Sequence, residues 1–281
     1  MQDAIASTAE ALSGLPTLDA FGYNVVYNLL SLTVATMGAA TMFFFFAPKV
    51  AAKYRPAMIV TGLVTAIACY HYFQIRDSFG GAFELVGGEY IASGKPFNDF
   101  YRYADWLLTV PLLMVELIAV MALTKSESSK FLKILIPAVL LMIITGYPGE
   151  NALSTGGSAA AIWGWFAVSM FFFVIILGVL FTQLTAAINK QPEGVRGLIN
   201  FARIVVLITW SFYPIAYLIG ALGRGEDGGL SATAVVGLQV GYTIADITAK
   251  AGFGVVIYMI AARKTEIEGL LPQGSGAPAA A

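Results

Sequence analysis

Two carboxylates, one amine and a third carboxylate stand where an apolar chain rarely places charge, and their spacing limits what they can do together. Asp246 and Lys250 are four residues apart, so on a helix they share a face about 6 Å apart along the axis. Such a pair can be a structural tie between helices. It can also do chemistry: an amine kept from water attacks an aldehyde, and the resulting Schiff base is protonated only against a nearby carboxylate. Asp105 and Thr109 lie one turn apart on another segment, and Glu116 follows Asp105 by eleven residues, about 16 Å further along nearly the same face. Arg102, Asp105 and Glu116 therefore read as a ladder along one helix, suited to passing protons past the Lys250 amine. Arg102 serves equally as an ordinary counter-ion to Asp105 or Asp246, and Glu116 as a buried carboxyl bonded to a neighbour. His71, the single histidine, is either a satisfied core residue or level with Asp105, where an imidazole bonded to the carboxylate would couple the two titrations.

The elements that must position these groups are membrane spans. The chain has 281 residues, 58% hydrophobic and 12% charged, with a mean hydropathy of +0.77, which is far from the composition of a water-soluble enzyme. Net charge is -1, so there is no basic field for nucleic acid. Cys69 is the single cysteine and lies in an apolar run, read as a small buried hydrophobe; no intrachain disulfide and no cysteine-based metal site follows. Seven stretches are apolar over the roughly 20 residues a span needs: 22–48, 56–78, 98–123, 131–148, 159–188, 197–222 and 230–262. The fold class is an all-α seven-transmembrane bundle. The fourth span is short and holds Pro137, which membrane helices tolerate.

Lys and Arg near the span ends fix the expected orientation. Lys49, Lys53, Arg55, Lys125, Lys130, Lys133, Lys190, Arg196, Arg263 and Lys264 fall on one side, against Arg76, Lys95 and Arg224 on the other. The amino terminus is expected outside and the carboxyl terminus inside. Residues 1–21 carry no basic and apolar signal-peptide pattern and read as an external segment, 22–262 as the bundle, and 263–281 as a disordered cytoplasmic tail. GGAFELVGGEYIASGKPF, between the second and third spans, predicts an external β-hairpin. There is no internal repeat of the kind many secondary transporters show. Trp210, Tyr213, Pro214 and Tyr217 form an aromatic stripe at a proline kink; with Trp106 and Trp163 it is ordinary packing or the wall of a flat, conjugated ligand.

RYADWLLTVPLLMVE, TGYPGE, WSFYPIAYL, VGYTIADITAK and YHYFQI together resemble the microbial rhodopsins, most closely the xanthorhodopsin branch of bacterial light-driven proton pumps, over all seven spans. The resemblance implies all-trans retinal on Lys250 as a protonated Schiff base, Asp105 as counter-ion and proton acceptor, and Asp246 as second counter-ion. It implies Thr109 bonded to Asp105, Glu116 as cytoplasmic proton donor, Arg102 gating the outer half-channel, and a histidine of the bacterial type at His71. Trp106, Tyr72, Trp163, Trp210, Tyr213, Pro214 and Tyr217 would form the retinal pocket, with Leu113 at a tuning position that suggests green absorption. The Asp, Thr, Glu triple resembles outward proton pumps rather than sodium or chloride pumps. Gly164 after Trp163 implies an opening for a carotenoid (xanthophyll) antenna, although glycine also serves helix packing and Trp165 can line or block the gap. Tyr217 stands where archaeal relatives have tryptophan, and Glu226 and Asp227 have no matching external pair. The resemblance further implies a bacterial cytoplasmic membrane, protons as cargo, and a pentamer or trimer. A photosensor, a light-gated channel or other ion pump, and a seven-helix transporter without retinal are the other readings.

Overall fold

The computed structural model describes residues 14–98, 100–223 and 230–270. The first 13 residues, Arg224, Glu226, Asp227 and the tail beyond residue 270 lie outside them. Among the described residues, seven helices are long and apolar enough to cross a membrane: α1 Ala20–Phe46, α2 Ala52–Ala82, α3 Phe100–Met121, α4 Lys125–Ser154, α5 Ala159–Asn189, α6 Glu193–Leu222 and α7 Ala232–Ile267. Lipid supplies no partner for backbone polar groups, so helices that satisfy their own are the stable way to span.

The hairpin forms as expected and gains a strand. β2 (Phe83–Val86) and β3 (Glu89–Ala92) pair antiparallel. Gly87 and Gly88 take φ of +64° and +96° between them, a left-handed two-residue turn that glycine adopts without steric cost. β1 (Leu18–Asp19), from the segment read as merely external, adds to the free edge of β3. Asp19 then caps α1 by accepting from the Gly22 amide at 2.6 Å, and Tyr23 stacks on Tyr90 with ring centroids 3.6 Å apart.

The fourth span is longer than its apolar run. Thr124 and Glu127 form a reciprocal capping box, so α4 begins at Lys125 and takes Lys125, Lys130 and Lys133 into the helix. It continues through Pro137 and Pro148 to Ser154, where the hydropathy pattern predicts a loop from Gly149. Two π turns interrupt otherwise regular helices, Val179–Gln183 in α5 and Thr248–Gly252 in α7, and the second contains Lys250.

Helix contacts are close enough at α7 that Gly254 has no room for a side chain: a Cβ there would meet Thr61 Cγ2 at 2.5 Å and Phe44 Cζ at 2.6 Å. Gly254→Val is therefore expected to destabilise the bundle by about 1–3 kcal/mol through overpacking, read as a lowered thermal midpoint in detergent. At the end of the bundle away from the hairpin, Lys53 pairs with Glu268 at 2.5 Å and the Tyr54 hydroxyl donates to Glu268 at 2.7 Å. Partial burial pushes the Glu268 carboxyl up, but these partners outweigh it and hold it below the ordinary glutamate value. Its contribution to stability is then full above the unfolded-state value and is lost as pH falls through the folded one. Wild type and Glu268→Gln should differ in thermal midpoint at neutral pH and converge in acid; a constant gap would contradict this.

Candidate functional site

Helices α2, α3 and α7 bring the ionisable groups to one buried cluster. Lys250 Nζ lies 2.7 Å from Asp105 Oδ2 and 2.9 Å from Asp246 Oδ1, with the lysine 1% exposed and both carboxylates fully buried. These are ion-pair contacts whose angles fall outside hydrogen-bond geometry, so Nζ is a buried amine with no hydrogen-bond acceptor aligned to it. Three helical residues separate Asp246 from Lys250 in sequence; the π turn places them on either side of its start, and such turns recur at functional sites. Nothing in the small residues around Lys250 announces the turn.

The two carboxylates have different support. Asp246 accepts from the Tyr72 hydroxyl at 2.7 Å, from Trp106 Nε1 at 3.1 Å and from the Tyr213 hydroxyl in a short contact. Among the described residues neither oxygen of Asp105 accepts a hydrogen bond. The Thr109 hydroxyl, expected on the Asp105 side chain, donates instead to the Asp105 backbone carbonyl at 2.8 Å, the usual back-bond of a helical threonine. His71 Nδ1 reaches to 3.9 Å of Asp105 Oδ1 but sits 3.0 Å from the carbonyl of Ile67, on its own helix. The imidazole is thus within ion-pair distance of the carboxylate without a hydrogen bond to it.

Arg102 completes the charge balance from the hairpin side. It donates to the Tyr72 hydroxyl at 3.1 Å and to Gln239 Oε1 at 2.6 Å, and its guanidinium lies 5.0 Å from the Tyr242 ring centroid. Tyr72 is therefore a bridge, accepting from Arg102 and donating to Asp246. Two cations against two anions keep the cluster neutral, without which burial of four charges would be prohibitive. Gln239 and Tyr242 were not singled out from sequence. Gln239 precedes Asp246 by seven residues, so its place on the same face was available from spacing alone.

Beside the cluster is a cavity of about 100 Å³ with a mostly apolar lining. Trp106, Leu113, Trp210, Tyr213, Pro214 and Tyr217 line it, with Lys250 at one wall. Tyr72 and Trp163, expected in the same wall, are not there. Tyr72 is behind Asp246, and Trp163 is 41% exposed on the outside of α5. Gly164 does not line the cavity either; it lies on an exposed stretch, and a Cβ built on it meets nothing within 4 Å. The α5 side is walled by Phe166, two residues on, which stacks on Tyr217 with centroids 5.0 Å apart. The place of Gly164 next to Trp163 in sequence does not show which way its neighbours point, and the helix turns by about 200° between residues 164 and 166.

Glu116 is buried toward the other end of α3, and neither oxygen has a hydrogen-bond partner among the described residues. Thr61 is beside it, but its hydroxyl is given to the Ala57 carbonyl. Arg203, absent from the sequence reading of charged spans, is buried on α6 and donates to the Leu180 carbonyl, at the π turn of α5, at 2.8 Å.

The description "Bacteriorhodopsin-like protein" belongs to the family model that matches residues 25–264. The green-light absorbing proteorhodopsin of Gamma-proteobacterium EBAC31A08 is 30% identical over 249 residues, 88% of this chain and 90% of that one. The crystal structure of xanthorhodopsin, described as a light-driven ion pump with dual chromophore, superposes with a TM-score of 0.84 at 48% identity, covering 91% of this chain and 99% of that one. Thermophilic rhodopsin gives 0.85 at 42% identity over the same shares.

Proposed function

The chain belongs to the bacteriorhodopsin-like family, the microbial rhodopsin light-driven ion pumps, and on that premise we propose that it carries protons outward across a bacterial cytoplasmic membrane with all-trans retinal held on Lys250. The fit rests on the buried Nζ with no aligned acceptor and on the apolar, aromatic cavity that opens beside it. When bound, retinal supplies the visible absorption and a light-dependent change in the acidity of the nitrogen at that position.

The unequal support of the two carboxylates carries the reading. Asp246 is held as a fixed anion by the hydroxyls of Tyr72 and Tyr213 and the indole of Trp106. Asp105, 2.7 Å from Nζ and without such donors, takes the proton released there. Arg102 and Tyr72 keep Asp246 from competing for it. Glu116, on the opposite side of Lys250 along α3, returns a proton to the nitrogen. Because Glu116 faces the end of the bundle with most Lys and Arg, the cytoplasmic end by the positive-inside rule, the net movement is outward.

A carotenoid antenna would approach the pigment at Gly164, which is exposed on the outer face of α5 and where an added Cβ meets nothing within 4 Å. Carotenoid bands are expected in the action spectrum after a xanthophyll is added, and Gly164→Trp should remove them; a spectrum unchanged by the xanthophyll would reject the antenna. The pump itself is tested in lightly buffered, retinal-supplied cells under green light. The expected result is external acidification that a protonophore abolishes. Alkalinisation enhanced by the protonophore would mean that another ion moves, and no light response would reject the pump.

A further inference from the structure

Lys264 lies fourteen residues after Lys250 on α7, at the end of the bundle away from the hairpin, and by sequence it is a loop charge that orients the chain. In the structure it is 3% exposed. Its ammonium donates to the Met121 carbonyl at 2.7 Å, to Gln191 Oε1 at 2.8 Å and to the Val120 carbonyl at 3.2 Å, and lies 5.0 Å from the Tyr54 ring centroid. A lysine has three donors, and here all three are used. The carbonyls it meets end α3, where the chain turns away at Ala122 with φ of +49°, so they have no partner further along the helix. A cation at a helix carboxyl end is also favoured by the helix dipole.

The contact joins α3 to α7 and to the short connection between α5 and α6 that carries Gln191. Among the described residues, the other ties between α3 and α7 are grouped around the buried cluster, where Asp105 pairs with Lys250, Trp106 donates to Asp246 and Arg102 to Gln239. The pair of Asp105 with Lys250 and the Lys264 contact are sixteen residues apart on α3 and fourteen apart on α7, about 24 Å and 21 Å of helix running in the same direction. Glu116 stands between them, five residues before Met121. We propose that Lys264 is a positioning residue for Glu116, fixing the last turns of α3 against the helix that bears Lys250 so that proton return from Glu116 is internal. This rests on the reading of Glu116 as the returning group. A buried ammonium is costly, and apolar packing would hold two helices as well; fixed direction at both ends of α3 is what three charge-assisted hydrogen bonds add.

The test is recovery of the flash-bleached visible band in membranes holding the full, retinal-loaded chain. Lys264→Met keeps the apolar stem and removes the donors. It is expected to slow recovery about tenfold or more, the rate equivalent of losing one charge-assisted hydrogen bond. Recovery should also become proportional to proton concentration, because the proton then comes from solvent, while the resting spectrum and the initial bleaching rate stay as in the parent. Lys264→Arg should restore most of the rate, and Gln191→Leu should give the same change in smaller measure, which serves if Lys264→Met does not fold. A lowered thermal midpoint with parent-like recovery and parent-like pH dependence would overturn the proposal. Glu116→Gln separates the two readings. If it leaves recovery unchanged, the role of Glu116 fails and this proposal with it; if it slows recovery while Lys264→Met and Gln191→Leu do not, the role of Lys264 alone fails.

Discussion

Asp105→Asn is expected to abolish light-driven acidification while Asp246→Asn is expected to damage the folded protein first. At Asp105 the substitution removes the nearest proton-accepting oxygen to Lys250 Nζ, at 2.7 Å, and with it a base whose contribution is typically 10² or more in rate. No hydrogen-bond donor among the described residues is left without its acceptor, because none points at Asp105. A visible pigment should still form. At Asp246 the anion holds Tyr72, Trp106 and Tyr213 together and, through Tyr72, Arg102. Losing its charge weakens several charge-assisted bonds in a buried site, each about 1.5–3 kcal/mol. The measurement pairs external pH under illumination with the thermal midpoint of each variant. Acidification by Asp105→Asn at the parent rate would remove the acceptor role, and equal stability of the two variants would show that the three donors do not decide between the carboxylates.

Lys250→Met should give a chain with no visible band after retinal is added, and a marked loss of stability even before it is added. The ammonium is the cation between Asp105 and Asp246, and removing one member of a buried ion pair costs about 3–5 kcal/mol because the partner charges are left uncompensated. The stability loss, unlike the spectral loss, has a repair. In the double variant with Asp105→Asn, one cation and one anion are removed together, and Arg102 remains to balance Asp246. Thermal unfolding of the single and double variants in the same detergent checks this. If the double variant is no more stable than Lys250→Met, the pairing energy is elsewhere.

The spans, the hairpin and the charged residues on α3 and α7 were legible because each depends on local pattern. About 20 apolar residues make a span whatever they pack against, and Gly87-Gly88 between short alternating runs makes a turn. The boundaries of α4, which sequence placed too late at the start and too early at the end, follow from two effects that hydropathy does not weigh. Thr124 and Glu127 cap a helix through polar atoms, and Pro148 continues inside one. The third strand was illegible for another reason: β1 is two residues long and is defined only by its partner, β3.

At the candidate site, spacing put Asp246 near Lys250 and Asp105 in line with Glu116, since residues on one helix keep a fixed angular relation. It could not rank the carboxylates. That ranking comes from Tyr72 on α2, Trp106 on α3 and Tyr213 on α6 meeting Asp246 on α7, four helices whose mutual rotation no single periodicity contains. The same limit explains why Trp163 is on the outer surface and Phe166 in the cavity wall, and why Lys264, counted as a surface charge, is buried under the end of α3. Sequence by itself determined which groups are kept out of water and on which helix, because solvent and lipid impose that residue by residue. Only the tertiary structure decided which of those groups face one another, because hydrogen bonds and ion pairs between helices depend on how the helices are turned.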